Sequence, residues 1–165
     1  MRRWLANAQS PFVDVGGGTG RLKPLMPADA RHICIDVDWL KLARYARRFQ
    51  DGVPVYGDAL SLPLRSGVAR SVAFIAISHH LSDQQLDLAF REIARVQAPA
   101  STLFFSDPVR AADRTASRLL WRYDRGAYPR TADQLLCELR KHFRVVDSFD
   151  FTVLHRYLAC RCRPF

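Results

Sequence analysis

The chain has 165 residues, 48% of them hydrophobic and 25% charged, and carries a formal net charge of +9. That length and apolar share suit one soluble domain, 1–165, with a full core and no linker. No apolar run reaches the length of a membrane span, and Met1-Arg2-Arg3-Trp4-Leu5 is too short before the first strand to be a secretory signal, so a cytoplasmic address is expected.

The excess charge is nearly all arginine spread along the chain, which reads as a solvated basic surface. A nucleic-acid partner is therefore not favoured. Cys34, Cys137, Cys160 and Cys162 lack paired metal-ligand spacing and read as reduced packing residues. Cys160 and Cys162 share one face of a strand, where core packing is preferred over a metal, so no metal site is expected.

Residues 2–9 leave room for one short helical turn. Phe12-Val13-Asp14-Val15 is then an apolar strand that empties into Gly16-Gly17-Gly18-Thr19-Gly20. Glycines between a strand and a helix let backbone approach a ligand closely, which suits a nucleotide-like molecule; the plain alternative is an ordinary flexible turn. A dinucleotide fingerprint would place a third glycine where Arg21 stands. Arg21 to Met26 is predicted to be a helix kept short by Pro24 and Pro27.

Arg31 to Ile35 is a near-continuous apolar strand, as a parallel sheet covered on both faces requires, and it ends at Asp36-Val37-Asp38. Asp38 is placed to cap a helix whose apolar Leu42, Ala46 and Phe49 share a face. Val53 to Tyr56 is a short third strand followed by Gly57-Asp58-Ala59, and Val72 to Ile77 a fourth followed by Ser78-His79-His80-Leu81. Ligands of parallel sheets sit at the carboxyl ends of strands, and histidine there can serve as a base near neutral pH; the competing reading is a packed histidine. Ser82 to Gln85 is a capping box opening a helix with Leu86, Phe90, Ile93 and Val96 inward.

Thr102 to Ser106 is the fifth strand, closing with Asp107-Pro108. The stretch 109–130 is rich in arginine, holds Trp121, Tyr123 and Tyr128, and interrupts the strand-helix alternation. It reads either as a substrate cap or as an amphipathic helix with a solvated basic face. Thr131 caps a last helix carrying Leu135, Leu136 and Leu139, and the strands Val145 to Phe151 and Arg156 to Cys162 end the chain.

Asp14-Val15-Gly16-Gly17-Gly18-Thr19-Gly20, the later Gly57-Asp58-Ala59 with Leu62-Pro63-Leu64, the His79-His80-Leu81 run and Arg91 to Val96 occur in order. Together they resemble the class I S-adenosylmethionine-dependent methyltransferases, in particular the type 11 small-molecule branch, and the resemblance runs from residue 11 to the end. It implies an α/β, Rossmann-like three-layer αβα sandwich, with a mostly parallel seven-stranded sheet and a C-terminal antiparallel hairpin. The implied cofactor is S-adenosylmethionine, held by Asp14, Gly16, Gly17, Gly18, Gly20, Asp36, Val37, Asp58, Ala59 and Ser78. In the family the acid ending the second strand meets both ribose hydroxyls, while the Asp and Ala of Gly-Asp-Ala meet adenine. The alternative for Asp36 is a second capping or turn residue.

The implied reaction is in-line transfer of a methyl group to a small-molecule acceptor. Alignment of the nucleophile can supply roughly 7–11 kcal/mol, so no fixed triad is expected. His79 is the candidate base, and His80, Tyr123, Tyr128 and Arg130 are candidate substrate contacts. The alternatives are an RNA or protein methyltransferase, or a cofactor-binding module that needs a partner. The fourth strand lacks the Pro-Pro-aromatic and Pro-Cys signatures of base methylation. Three features depart from the family: longer N-terminal helices are expected there, Ala98-Pro99-Ala100-Ser101 replaces Lys-Pro-Gly-Gly, and Arg70 stands where an aspartate is preferred. A homodimer is one way to complete the pocket.

Overall fold

The computed structural model describes residues 1–110, 128–153 and 155–165. Seven strands, β1 (Phe12–Val15), β2 (His32–Asp36), β3 (Val53–Tyr56), β4 (Ala69–Ile75), β5 (Gln97–Val109), β6 (Phe143–Thr152) and β7 (Arg156–Pro164), form one sheet. The spatial order is β3-β2-β1-β4-β5-β7-β6. β1 to β5 are mutually parallel, while β7 runs antiparallel to both β5 and β6. Every residue of β1 and of β2 is buried, the pattern of a parallel sheet covered on both sides. From β1 the chain first winds outward through β2 and β3, then crosses to β4 and β5 on the other side. The crevice at the carboxyl ends of β1 and β4 is where such a sheet binds ligands.

Alternation along the strands divides the interior. Val13, Val15, Val72, Phe74, Leu103 and Phe105 join the larger core, where α3 (Asp83–Val96) and α4 (Ala132–His142) pack. α3 buries Leu86, Ala89, Phe90, Ile93 and Val96, with the Phe90 ring 6.0 Å from Phe74 and 5.7 Å from Phe143. On the opposite face, Phe12, Ala73 and Phe104 meet Leu5 of α1 (Arg2–Leu5), and Cys34 meets Leu42 and Tyr45 of α2 (Trp39–Arg48). The capping expectations hold: Asp38 Oδ1 accepts from Leu40 N and Lys41 N, and Ser82 with Gln85 and Thr131 with Gln134 form capping boxes. Among the described residues no helix is long and apolar enough to cross a membrane.

Several local expectations are corrected. Residues 21–26 form no α-helix, only a 3₁₀ turn at Lys23–Leu25, because Pro24 and Pro27 remove donors that a longer helix needs. The inward face of α2 is Leu42 and Tyr45, while Ala46 is exposed. From Leu42 both the third and the fourth following residue lie on the same side. Tyr45 takes the buried place because its hydroxyl finds a partner in His32 there. Cys137 is exposed on α4, whereas Cys34, Cys160 and Cys162 are buried as expected. β5 runs well beyond 102–106, through the Ala98-Pro99-Ala100-Ser101 stretch, and Ala100 sits at φ +60°, the left-handed region where the family has glycine. Arg70 is exposed at a pairing irregularity between Ala69 and Ser71.

One charged pair ties α3 to the loop that follows β3. Glu92 accepts from Leu62 N at 2.7 Å and from Arg95, while Arg95 donates to the carbonyls of Leu62 (2.9 Å) and Leu64 (2.8 Å). The Arg95 hydrogen bonds hold the Glu92 carboxyl below its usual range. Arg95→Ala is expected to lower stability by about 2 kcal/mol in chemical denaturation, since charged donors to backbone carbonyls are lost at once. A change within about 0.5 kcal/mol, the size of an ordinary surface substitution, would show that the clasp is ornamental.

Candidate functional site

The carboxyl ends of β1, β2, β3 and β4 surround a cavity of about 700 Å³. Its floor is the glycine loop. Gly16 (φ +68°) and Gly18 (φ +56°) are left-handed, and the amides of Gly16 and Gly17 donate to the Ile35 carbonyl at 2.7 and 3.1 Å. A Cβ on Gly17 would lie 2.7 Å from both the Asp14 Cγ and the Cys34 Sγ, so the loop rests directly on those side chains. At Gly18 the nearest atom to such a Cβ would be 3.5 Å away; here backbone, not a side chain, is offered to the cavity.

Asp36 fixes this floor. Its Oδ2 accepts from Gly18 N at 2.9 Å and its Oδ1 from Asp38 N at 2.8 Å. A carboxylate has about four lone-pair sites, so two remain for a ligand. Asp58 stands at the lip, exposed, with Oδ1 accepting from Leu60 N at 3.0 Å in an Asx turn. Val37 and Ala59 also line the cavity. The structure thus brings together Asp14, Gly16, Gly17, Gly18, Asp36, Val37, Asp58, Ala59 and His80 of the residues anticipated from sequence.

Others lie elsewhere. Gly20 (φ +75°) does not line the cavity; a Cβ there would meet the Tyr45 ring at 2.4 Å, so its lack of a side chain serves packing. Ser78 and His79 are buried in the 3₁₀ turn that follows β4, behind the cavity wall. His79 Nδ1 lies 2.5 Å from Asp107 Oδ1, and Asp107 Oδ2 accepts from the amides of Ser78 (2.6 Å) and Ile77 (3.2 Å). His79 is therefore placed as a residue that shapes the turn, while its neighbour His80 reaches the cavity, the two rings 4.1 Å apart. Arg130 is buried, and its guanidinium is occupied by Asp83 Oδ1 and by the carbonyls of Ser78, Leu81 and Tyr128, which positions it as a clamp on the same turn. Tyr128 is 44% exposed, and its amide donates to the His79 carbonyl. Tyr123, Trp121 and the other cap positions at 111–127 lie outside the described residues.

Asp107 was not singled out by sequence reasoning; its signal was a charged residue directly after the apolar Leu103-Phe104-Phe105 run and Ser106. Thr19, Arg21, Lys41 and Arg44 also line the cavity unanticipated, as do the apolar Ile75, Ile77 and Leu81. Ala76 lies between them at φ +56°, local strain of the kind that functional sites retain.

A sequence profile for the family described as Methyltransferase domain matches residues 13–105. The chain belongs to the class I S-adenosylmethionine-dependent methyltransferases. A search of curated proteins finds no match. Similar solved structures include a methyltransferase from Methanosarcina mazei, with TM-score 0.84 and 12% identity over 99% of this chain and 96% of that one. Another is geranyl diphosphate C-methyltransferase from Streptomyces coelicolor, in complex with Mg2+, geranyl diphosphate and S-adenosyl-L-homocysteine. It has TM-score 0.83 and 10% identity over 99% of this chain and 76% of that one. The cyclase SpnF is similar as well, with TM-score 0.81 and 19% identity over 99% and 79%. At these identities the likeness is one of fold, and the fold hosts more than one reaction.

The methyltransferase cofactor fits what stands here. The glycine floor exposes backbone, Asp36 keeps free lone pairs, and Asp14 Oδ2 is buried without a hydrogen-bond partner. Burial raises the Asp14 carboxyl above its ordinary range, and Asp36 adds to the rise while His32 opposes it. An acid with a raised folded pKa favours folding below its unfolded pKa, and that contribution is lost as pH rises through the folded value. Asp14→Asn is therefore expected to become progressively more stable relative to the parent protein as pH rises from 4 to 8. Thermal melts across that range check it; a difference independent of pH would contradict it.

Proposed function

We propose that this methyltransferase transfers a methyl group from S-adenosylmethionine to a small-molecule acceptor. The observation that carries the reading is the division of one cavity. Backbone and carboxylates of the glycine loop, Asp36 and Asp58 occupy one end, while Ile75, Ala76, Ile77, Leu81 and His80 form the other. The first end offers acceptors for ribose and adenine donors, and Asp14 offers a negative group for the cofactor's ammonium. The second end is an apolar wall with one titratable group, the composition of a small-molecule site.

When bound, S-adenosylmethionine supplies a methyl group on a positively charged sulfur. The chain's own task is to hold the nucleophile in line. The 3₁₀ turn at Ser78–His80 sets that line because Asp107 and Arg130 grip it from two sides. His80 is the group on this turn that faces the cavity, and it can take a proton from an acceptor hydroxyl or amine near neutral pH. His79 supports it from behind. Tyr128 lies against the same turn, its amide donating to the His79 carbonyl. Geranyl diphosphate C-methyltransferase, with its small-molecule substrate bound, supports this class of acceptor.

Isothermal titration with S-adenosylmethionine and S-adenosylhomocysteine is expected to show binding of both, and none of NAD. Asp36→Ala and Asp58→Ala should each weaken binding by about tenfold, the loss of one charge-assisted hydrogen-bonding group. Unchanged affinity in both variants would remove the assignment.

A further inference from the structure

Beneath the glycine loop lies a chain of buried polar groups that does not reach the cavity except at one end. His32 is fully buried at the start of β2, and its Nδ1 lies 2.7 Å from the Tyr45 hydroxyl. Its Nε2 lies 3.3 Å from Asp14 Oδ2, and neither of those two atoms has a hydrogen-bond partner. Asp14, 3% exposed, lines the cavity, whereas His32 and Tyr45 do not. Three elements thus run from α2 through β2 to β1 and end at the floor of the ligand site. A buried carboxylate without compensation is costly, and here an imidazole faces it.

The Tyr45 hydroxyl makes the arrangement adaptable. It lies near two acceptors, the His32 ring nitrogen and, at 3.4 Å, the His32 carbonyl. With a neutral imidazole, Tyr45 donates to Nδ1 and the ring proton sits on Nε2, 3.3 Å from Asp14 Oδ2. With an imidazolium, Nδ1–H donates to the Tyr45 oxygen and the tyrosine proton turns to the carbonyl. The two arrangements differ by one proton taken from solvent. Each leaves a protonated Nε2 within 3.3 Å of Asp14 Oδ2.

Among the described residues, the groups packed beside this pair come from β1, β2 and α2. From β1, Phe12 stacks on the His32 ring with centroids 5.6 Å apart. From β2, Cys34 faces the site as a thiol kept protonated by burial, and Asp36 repels Asp14. From α2, Tyr45 is kept protonated by burial as well. Beyond α2, Asp51 is held by Lys23 at 2.7 Å. His32 is the one group among these described residues that opposes both the burial of Asp14 and its repulsion by Asp36.

We propose that His32, seated by Tyr45, is a positioning residue that holds Asp14 toward the ammonium of the cofactor's amino-acid end. The inference rests on the reading above that Asp14 meets that ammonium. It assigns cofactor capture to two residues that never touch the cofactor.

The test compares two ligands by isothermal titration between pH 6 and 8. S-adenosylhomocysteine carries the amino-acid end, and 5′-methylthioadenosine carries the same nucleoside thioether without it. His32→Phe, which keeps the ring stack on Phe12, is expected to lose about tenfold in S-adenosylhomocysteine affinity, or about 1.4 kcal/mol of binding. Its affinity for 5′-methylthioadenosine should be unchanged. The acid-side loss of S-adenosylhomocysteine binding should move to higher pH, since Asp14 then protonates more readily. Tyr45→Phe should show a smaller loss with the same ligand dependence, and it keeps the test open should His32→Phe fail to fold. Equal losses for both ligands would mean a merely structural role and would overturn the proposal, as would an unchanged pH profile. Asp14→Asn separates the two claims. Lost S-adenosylhomocysteine affinity there, with full affinity in His32→Phe, overturns the relay alone; full affinity in Asp14→Asn overturns the underlying reading too.

Discussion

The site depends on two carboxylates that fasten the two loops leaving the centre of the sheet. β1 and β4 are neighbours, and each ends in a short turn segment at the cavity. On one side Asp36, ending β2, accepts from the Gly18 amide; on the other Asp107, within β5, accepts from the amides of Ile77 and Ser78. The flanking strands thereby position what the central strands deliver. Backbone donors that would otherwise be orphaned are satisfied by charged acceptors, which make stronger bonds than neutral ones. The two loops meet where the Ile77 side chain packs on Gly16, leaving no room there for a Cβ.

This division of labour explains which residues must be rigid. Gly17 rests against Asp14 and Cys34, and Gly20 against the Tyr45 ring, so the floor is set by packing as much as by hydrogen bonds. The turn at Ser78–His80 is gripped by Asp107 below and Arg130 beside. Arg130 is itself balanced by Asp83 at the start of α3. A buried Asp14 with a raised pKa works against folding at neutral pH, yet it gives the site its negative floor. Such conflicts between stability and site are what functional positions retain.

Much of the fold was legible in sequence because its signals were local. The near-continuous apolar strands, the capping residues Asp38, Ser82 and Thr131, and the ordered glycine and Gly-Asp-Ala motifs each announce a structure within a few residues. The cavity floor was legible for the same reason. What escaped was set by contacts distant in sequence. Asp107 meets His79 across 28 residues and Arg130 meets Ser78 across 52, so neither role could be read from its neighbours. Arg130 read as a substrate contact because an arginine in a pocket-like segment looks the same whether its guanidinium faces solvent or carbonyls. Tyr45 escaped because its burial depends on His32, and α2 alone offers Ala46 as an equal candidate.

The central claim is that ligand binding closes on these two fastened loops. Hydrogen exchange with and without S-adenosylhomocysteine tests it most directly, since the backbone amides of the floor and lip are the proposed contacts. The account predicts slower exchange confined to residues 16–20, 36–38, 57–60 and 76–81, the segments around the cavity. Protection absent from 16–20 and 57–60, or centred on other segments, would contradict it.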